Sequence, residues 1–166
     1  DGRRIMIGWL QNWDACGIRA PQEPWSGQMS LPRELSVRDG RLYQRPVREI
    51  ETLRRNKTEY GNLSLSGEVR LQGIQGRRVD MELVIRPGDE ENIYQKFAVR
   101  FAQDQQYRTS LSFRPYESVL KIDRKFSGSR RAIVHQRRSL VNSRNGKLKL
   151  RIILDSFSAE IFVNDG

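Results

Sequence analysis

Residues 147–154 read Lys-Leu-Lys-Leu-Arg-Ile-Ile-Leu. In an extended chain this puts Leu148, Leu150 and Ile152 on one face and Lys147, Lys149 and Arg151 on the other. A period of two, rather than 3.6, constrains this chain more than any other feature, because it recurs along most of its length. Phe97, Val99 and Phe101 alternate against Lys96 and Arg100 in the same way. Further strands are predicted near residues 60–65, 68–72, 79–85, 95–102, 107–113, 118–123 and 159–163, with turn residues between them. Two antiparallel sheets packed face to face would bury the apolar faces and wet the charged ones. Residues 57–166 are therefore expected to form an antiparallel β-sandwich. Residues 128–145 are polar and basic without strong periodicity, and are expected to hold a long loop.

The first third follows a different rhythm. Residues 3–10 read as a strand behind the turn signal Asp1-Gly2, and residues 11–27 as a loop with Pro21 and Pro24. Residues 28–35 read as a second strand, in which Pro32 marks an edge or an irregularity. A further turn is expected at Asp39-Gly40. Pro46 is expected to open a short helical segment over 47–54, with Ile50 and Leu53 on one side. The expected division is thus 1–45, a linker with a short helix over 46–56, and the sandwich over 57–166. Asn164-Asp165-Gly166 is a hairpin turn after a strand, as Asp1-Gly2 is before one, so a piece of a longer protein is expected.

Composition excludes several classes. No run of about 18 apolar residues is present, so no membrane-spanning helix is expected. Cys16 is the only cysteine, which rules out an intrachain disulfide, and the only histidine, His135, lies far from it in sequence. The net charge is +10, and Asp123 is the single acid between Lys121 and Arg151. That basic run raises the question of nucleic acid, but no recognition helix, aromatic RNA-binding motif or zinc spacing accompanies it. It is read instead as a solvated face, or one that meets an acidic neighbouring domain. No cofactor, metal, nucleic acid or membrane partner is expected.

Three stretches resemble glycoside hydrolase family 32, the sucrose- and fructan-cleaving β-fructosidases. Residues 1–13, Asp-Gly-Arg-Arg-Ile-Met-Ile-Gly-Trp-Leu-Gln-Asn-Trp, are similar to a segment in the last blade of the family's five-bladed propeller. Residues 24–35, Pro-Trp-Ser-Gly-Gln-Met-Ser-Leu-Pro-Arg-Glu-Leu, resemble a following strand, and residues 43–50 continue towards the family's second domain. Residues 154–166, with Glu160-Ile161-Phe162-Val163-Asn164-Asp165-Gly166, resemble a signature of its C-terminal sandwich. The resemblance implies that residues 1–45 are a remnant of the last propeller blade and that the whole is all-β.

The function implied is that of a retaining fructosidase. Such enzymes use a carboxylate nucleophile and a second carboxyl as acid then base, about 5 Å apart. The family carries these in W-M-N-D-P-N-G and E-C motifs, and binds fructose through an R-D-P motif. None of the three occurs here, and Arg38-Asp39-Gly40 lacks the proline and lies in the wrong region. The resemblance therefore implies no catalytic residue in this chain. It implies a pocket role for Trp13, whose aromatic face suits the C–H surface of a sugar, with Asn12 and Trp9 as further substrate contacts. Trp9 itself reads first as propeller core. Gln11 and Asp14 flank Trp13 as lesser candidates, Trp25 reads as a rim or packing residue, and Arg33 and Glu34 as salt-bridge formers.

Glu160 and Asp155 are the one tempting carboxylate pair in the sandwich. Their odd spacing puts them on opposite faces of a regular strand, which excludes a shared site. The implied partners are a fructose-containing saccharide and the protein's own N-terminal propeller, with the sandwich stabilising that propeller or a homo-oligomer. The competing reading is an independent carbohydrate-binding module. It would need a row of exposed aromatics on the sandwich, yet all three tryptophans precede residue 26.

Overall fold

A computed structural model describes residues 1–10, 25, 27–89, 91–128 and 134–166. Strands β1 (Arg4–Met6), β2 (Arg33–Arg38) and β3 (Arg41–Pro46) form one antiparallel sheet in that order. The β2–β3 turn is made by Asp39 and Gly40, with φ of 50° and 72°. Two consecutive positive φ values are what a two-residue hairpin turn of matching twist demands, and Asp-Gly supplies them at little strain. A 3-10 turn, Arg48–Leu53, follows β3 directly.

The remaining strands are β4 (Val79–Ile85), β5 (Phe97–Phe101), β6 (Thr109–Arg114), β7 (Val119–Asp123), β8 (Gln136–Leu140), β9 (Leu148–Leu154) and β10 (Ala159–Val163). They form two antiparallel sheets, β10-β9-β4 and β5-β6-β7-β8. Leu148, Leu150 and Ile152 of β9 point inward and are opposed across the strand pair by Ile85, Leu83 and Met81 of β4. From the other sheet come Phe101, Leu111, Phe113 and Leu120. Leu148, Ile152 and Phe113 are completely buried. This is the expected sandwich, and period-two alternation is what built it.

Four expectations change. Residues 60–65 and 68–72 form no strand. Asn62 and Gly73 carry positive φ, and almost every residue from 57 to 78 is exposed, so no apolar face there holds a strand against a partner. Inside the expected loop, residues 136–140 are instead β8, an edge strand exposed at every position. With both faces wet, it has no alternation to reveal it. The second strand begins at Arg33 rather than at residue 28, since Pro32 has no N–H to give a ladder. The helical segment is a 3-10 turn whose apolar anchor is the buried Val47, while Leu53 is 74% exposed.

A fifth finding concerns the charged faces. On β9, β10 and β4 the residues that alternate with the core are Arg151, Ile153, Glu160, Phe162, Asp80 and Glu82. They do not simply face water. Arg151 meets Glu51, Asp80 and Glu82 meet Arg54, and Glu160 and Phe162 meet Arg33, so part of this face is covered by the 3-10 turn and the β1–β3 sheet, while Val84 on the same face stays exposed.

Candidate functional site

Two regions meet here: the segment carrying Trp9, and the seam that holds it to the sandwich. Period-two alternation along β10 sends Ile161 and Val163 into the core and Glu160 and Phe162 outward to the seam. Glu160 is buried, yet both carboxylate oxygens are satisfied. The Leu31 backbone N–H donates to Oε1 at 2.6 Å, and Arg33 donates to Oε2 from Nε at 3.0 Å and Nη2 at 2.5 Å. The Arg33 guanidinium also lies 5.5 Å from the Phe162 ring centroid and donates to the Gln44 side chain at 2.9 Å. A charge-assisted pair of this kind is stronger than a neutral bond and fixes orientation. Glu160 is therefore an interlock, and Asp155 lies apart in an exposed turn.

The residue before Leu31 continues the connection. The Ser30 Oγ accepts from the Gly8 N–H at 2.9 Å and donates to the Leu31 carbonyl at 3.0 Å, while the Ser30 N–H donates to the Gly8 carbonyl at 2.7 Å. Leu10 N–H donates to the Gln28 carbonyl at 2.7 Å. Between these bonds, Trp9 bridges to Met29. Trp9 is 56% exposed. Trp13 and Asn12, with Gln11, Asp14 and Cys16, lie outside the described residues.

The 3-10 turn is bound as tightly. Arg54 donates to Asp80 at 2.7 Å and to Glu82 at 2.6 Å, and Arg151 grips Asp80 with bonds of 2.9 and 2.6 Å. Arg151 also reaches Glu51 at 2.7 Å. Burial pushes the Asp80 carboxyl up, but its bonds to Arg151 and Arg54 outweigh that and leave it below its ordinary value. The bond to Asp80 likewise raises the Arg54 guanidinium above its ordinary range. At the other end of the turn, Glu49 takes two bonds from Arg3, at 3.0 and 2.6 Å. Arg3 holds the Glu49 carboxyl down at about 2. Glu34, expected to form salt bridges, lies 3.9 Å from both Arg3 and Arg45. Arg3, Glu34, Glu51, Glu82, Arg151 and Phe162 line a cleft of about 530 Å³ beside the 3-10 turn.

Trp25 makes an edge-to-face contact with Phe157 of the β9–β10 turn, centroids 6.1 Å apart. That matches its reading as a packing residue. The basic run is not one face. Lys121 pairs with Asp123, Lys149 with Asp165, and Arg151 with the acids of the seam, whereas Arg137 and Arg138 stand exposed on β8. The acids that meet Arg151 thus come from this chain. Sequence reasoning missed Glu160, Ser30 and Asp80 as seam residues. The one available signal was a charged residue inside an otherwise apolar strand, Glu160 between Ala159 and Ile161.

Among the described residues no group of three or more His, Cys, Asp or Glu could hold a metal ion. The seam's carboxylates are each engaged by arginine, which suits cohesion rather than proton transfer or nucleophilic attack.

Comparison with known proteins places this arrangement. Residues 49–166 match the model described as "Glycosyl hydrolases family 32 C terminal", and residues 1–46 match "Glycosyl hydrolases family 32 N-terminal domain". A raffinose invertase of Escherichia coli is 34% identical over 169 residues, covering 100% of this chain and 33% of that protein. A levanase of Bacillus sp. (strain L7) is 31% identical over 179 residues, covering 100% of this chain and 19% of that protein. The exo-inulinase structure from Aspergillus awamori shares the fold with a TM-score of 0.80 at 20% identity, covering 98% of this chain and 33% of that one. The chain therefore spans a third or less of the length of these relatives. Its architecture is the junction these enzymes share, propeller strands leading into a C-terminal β-sandwich. The chain belongs to glycosyl hydrolase family 32.

Proposed function

We propose that this chain is the C-terminal, non-catalytic portion of a retaining β-fructofuranosidase acting on sucrose, sucrose 6-phosphate or fructans. In this reading residues 1–45 complete the last propeller blade, residues 46–56 are the linker, and residues 57–166 are the sandwich that stabilises the propeller. The observation that carries it is the pairing of family membership with the seam. The chain has the family's junction, tied by arginine–carboxylate bonds on both sides of the linker, and no W-M-N-D-P-N-G, E-C or R-D-P motif. The nucleophile and acid/base then belong to the preceding blades. Trp13, Asn12 and Trp9 are the substrate contacts this portion contributes.

A retaining mechanism keeps the anomeric configuration because two displacements occur in succession. The protein that includes the preceding blades should release fructose from sucrose as the β-anomer first. Time-resolved NMR of the nascent sugar reads this directly. Release of the α-anomer, or no release of fructose from sucrose, sucrose 6-phosphate, levan or inulin, would contradict the proposal.

A further inference from the structure

The structure assigns Glu160 a positioning role: from the sandwich, it fixes the segment that presents Trp9 to the sugar. The inference rests on the proposed β-fructosidase function and adds to it a residue, outside the propeller, on which substrate handling depends.

The path is continuous and short. Glu160 Oε1 takes the Leu31 N–H, and Oε2 takes two bonds from Arg33. Ser30, one residue before Leu31, is buried and bonds Gly8 in both directions. Gly8 precedes Trp9, and Leu10 after it is bonded to Gln28. Trp9 is thus bracketed by bonds from Gly8 and Leu10 to the 28–30 segment, and that segment is anchored at its far end by a carboxylate of β10.

The anchor itself is stiff. Glu160 lies mid-strand, opposite Ile153 of β9, and its neighbour Ile161 packs against the sandwich core. Phe162, two residues on, supports the Arg33 guanidinium. Arg33 in turn starts β2 and is opposed by Pro46 of β3, so the carboxylate meets the sheet at the start of its β2–β3 ladder. Glu160 touches no substrate; it acts through Leu31, Ser30 and Gly8. Because a small misplacement of a contact residue is enough to slow catalysis, loosening this path should be felt at the sugar.

The test uses the full-length protein with sucrose as substrate. Glu160→Gln keeps the shape but removes the charge that holds Arg33. It should speed hydrogen–deuterium exchange in peptides spanning residues 5–10 and 28–33, and lower kcat/KM by about tenfold. Trp9→Ala should lower kcat/KM on its own account. If Glu160 acts through Trp9, the two losses are not additive, and Glu160→Gln does little in the Trp9→Ala background.

Ser30→Ala weakens the relay by removing the Oγ bond from the Gly8 N–H, leaves the Glu160–Arg33 pair intact, and should reproduce part of the kinetic loss even if the Glu160 variant folds poorly. Unchanged exchange at both peptides, or equal kinetic losses in the two backgrounds, would overturn the inference. Faster exchange in a protein whose wild type releases no fructose would confirm the tether and overturn the β-fructosidase reading instead.

Discussion

Asp80 stands between two guanidinium groups, and the seam's response to acid follows from that placement. Its carboxyl lies below the ordinary aspartate value because Arg151 and Arg54 outweigh the effect of burial. A depressed folded-state value means stability that is complete above the ordinary range and lost as the pH falls through it. The melting temperature of the wild type should therefore fall more steeply below about pH 4 than that of Asp80→Asn. The variant starts lower at neutral pH, and the curves converge in acid; parallel curves would mean that Asp80 contributes nothing through its charge. Arg33 is the complementary case. Arg33→Met leaves the Glu160 carboxylate buried without its cation, and should destabilise the chain by about 3 kcal/mol in denaturant unfolding. A loss within about 0.5 kcal/mol, the size expected of an ordinary surface substitution, would show that water replaces the guanidinium. At the sugar, Trp13→Ala in the full-length protein should reduce transition-state stabilisation by about 1–3 kcal/mol. Kinetics at the wild-type level would remove Trp13 from the pocket.

Strand β9 carries the sandwich, and its burial pattern explains which elements could be read in advance. Leu148, Leu150 and Ile152 alternate with charged residues, so a strand and its inward face were both visible in the sequence. Ile152→Ala removes a fully buried side chain, and should cost about 3 kcal/mol in thermal or denaturant unfolding. Arg137→Ser on β8 should change stability by less than about 0.5 kcal/mol, since that strand buries nothing. The same contrast accounts for the elements that were misread. β8 has no apolar face, so pattern gave no warning of it. Residues 60–72 contain enough Leu and Val to suggest strands, but pairing needs a partner, and a partner is a property of the whole fold. The seam was hidden for a third reason. Lys149 and Arg151 look like the wet side of a two-layer sandwich, and only the packing of a further layer turns Arg151 into the partner of Asp80 and Glu51. In the same way Glu160 could be excluded from catalysis by its spacing from Asp155, but its actual partners, Leu31 and Arg33, lie more than a hundred residues away. The motifs around Trp9 and Trp13 suggested a sugar-facing segment, while the tether that reaches it is visible only in three dimensions.

As a whole, the molecule is a junction. A three-stranded sheet, a linker turn and a sandwich are joined by arginine–carboxylate contacts at Glu49, Asp80 and Glu160, and the chain spans a third or less of the relatives it matches. Those relatives share its family, and in the proposed reading the bond-breaking groups belong to preceding propeller blades. Two carboxyls about 5 Å apart, one aimed at the anomeric carbon and the other at the glycosidic oxygen, are the minimum for retaining chemistry. In the described structure Glu49, Asp80 and Glu160 are each committed to arginine. The most direct measurement is fructose release from sucrose and inulin by the purified 166-residue chain, assayed beside the protein that includes the preceding blades. Turnover is expected from the longer protein and none from the chain alone, at any enzyme concentration. Sustained fructose release by the chain alone, scaling with its concentration, would contradict it.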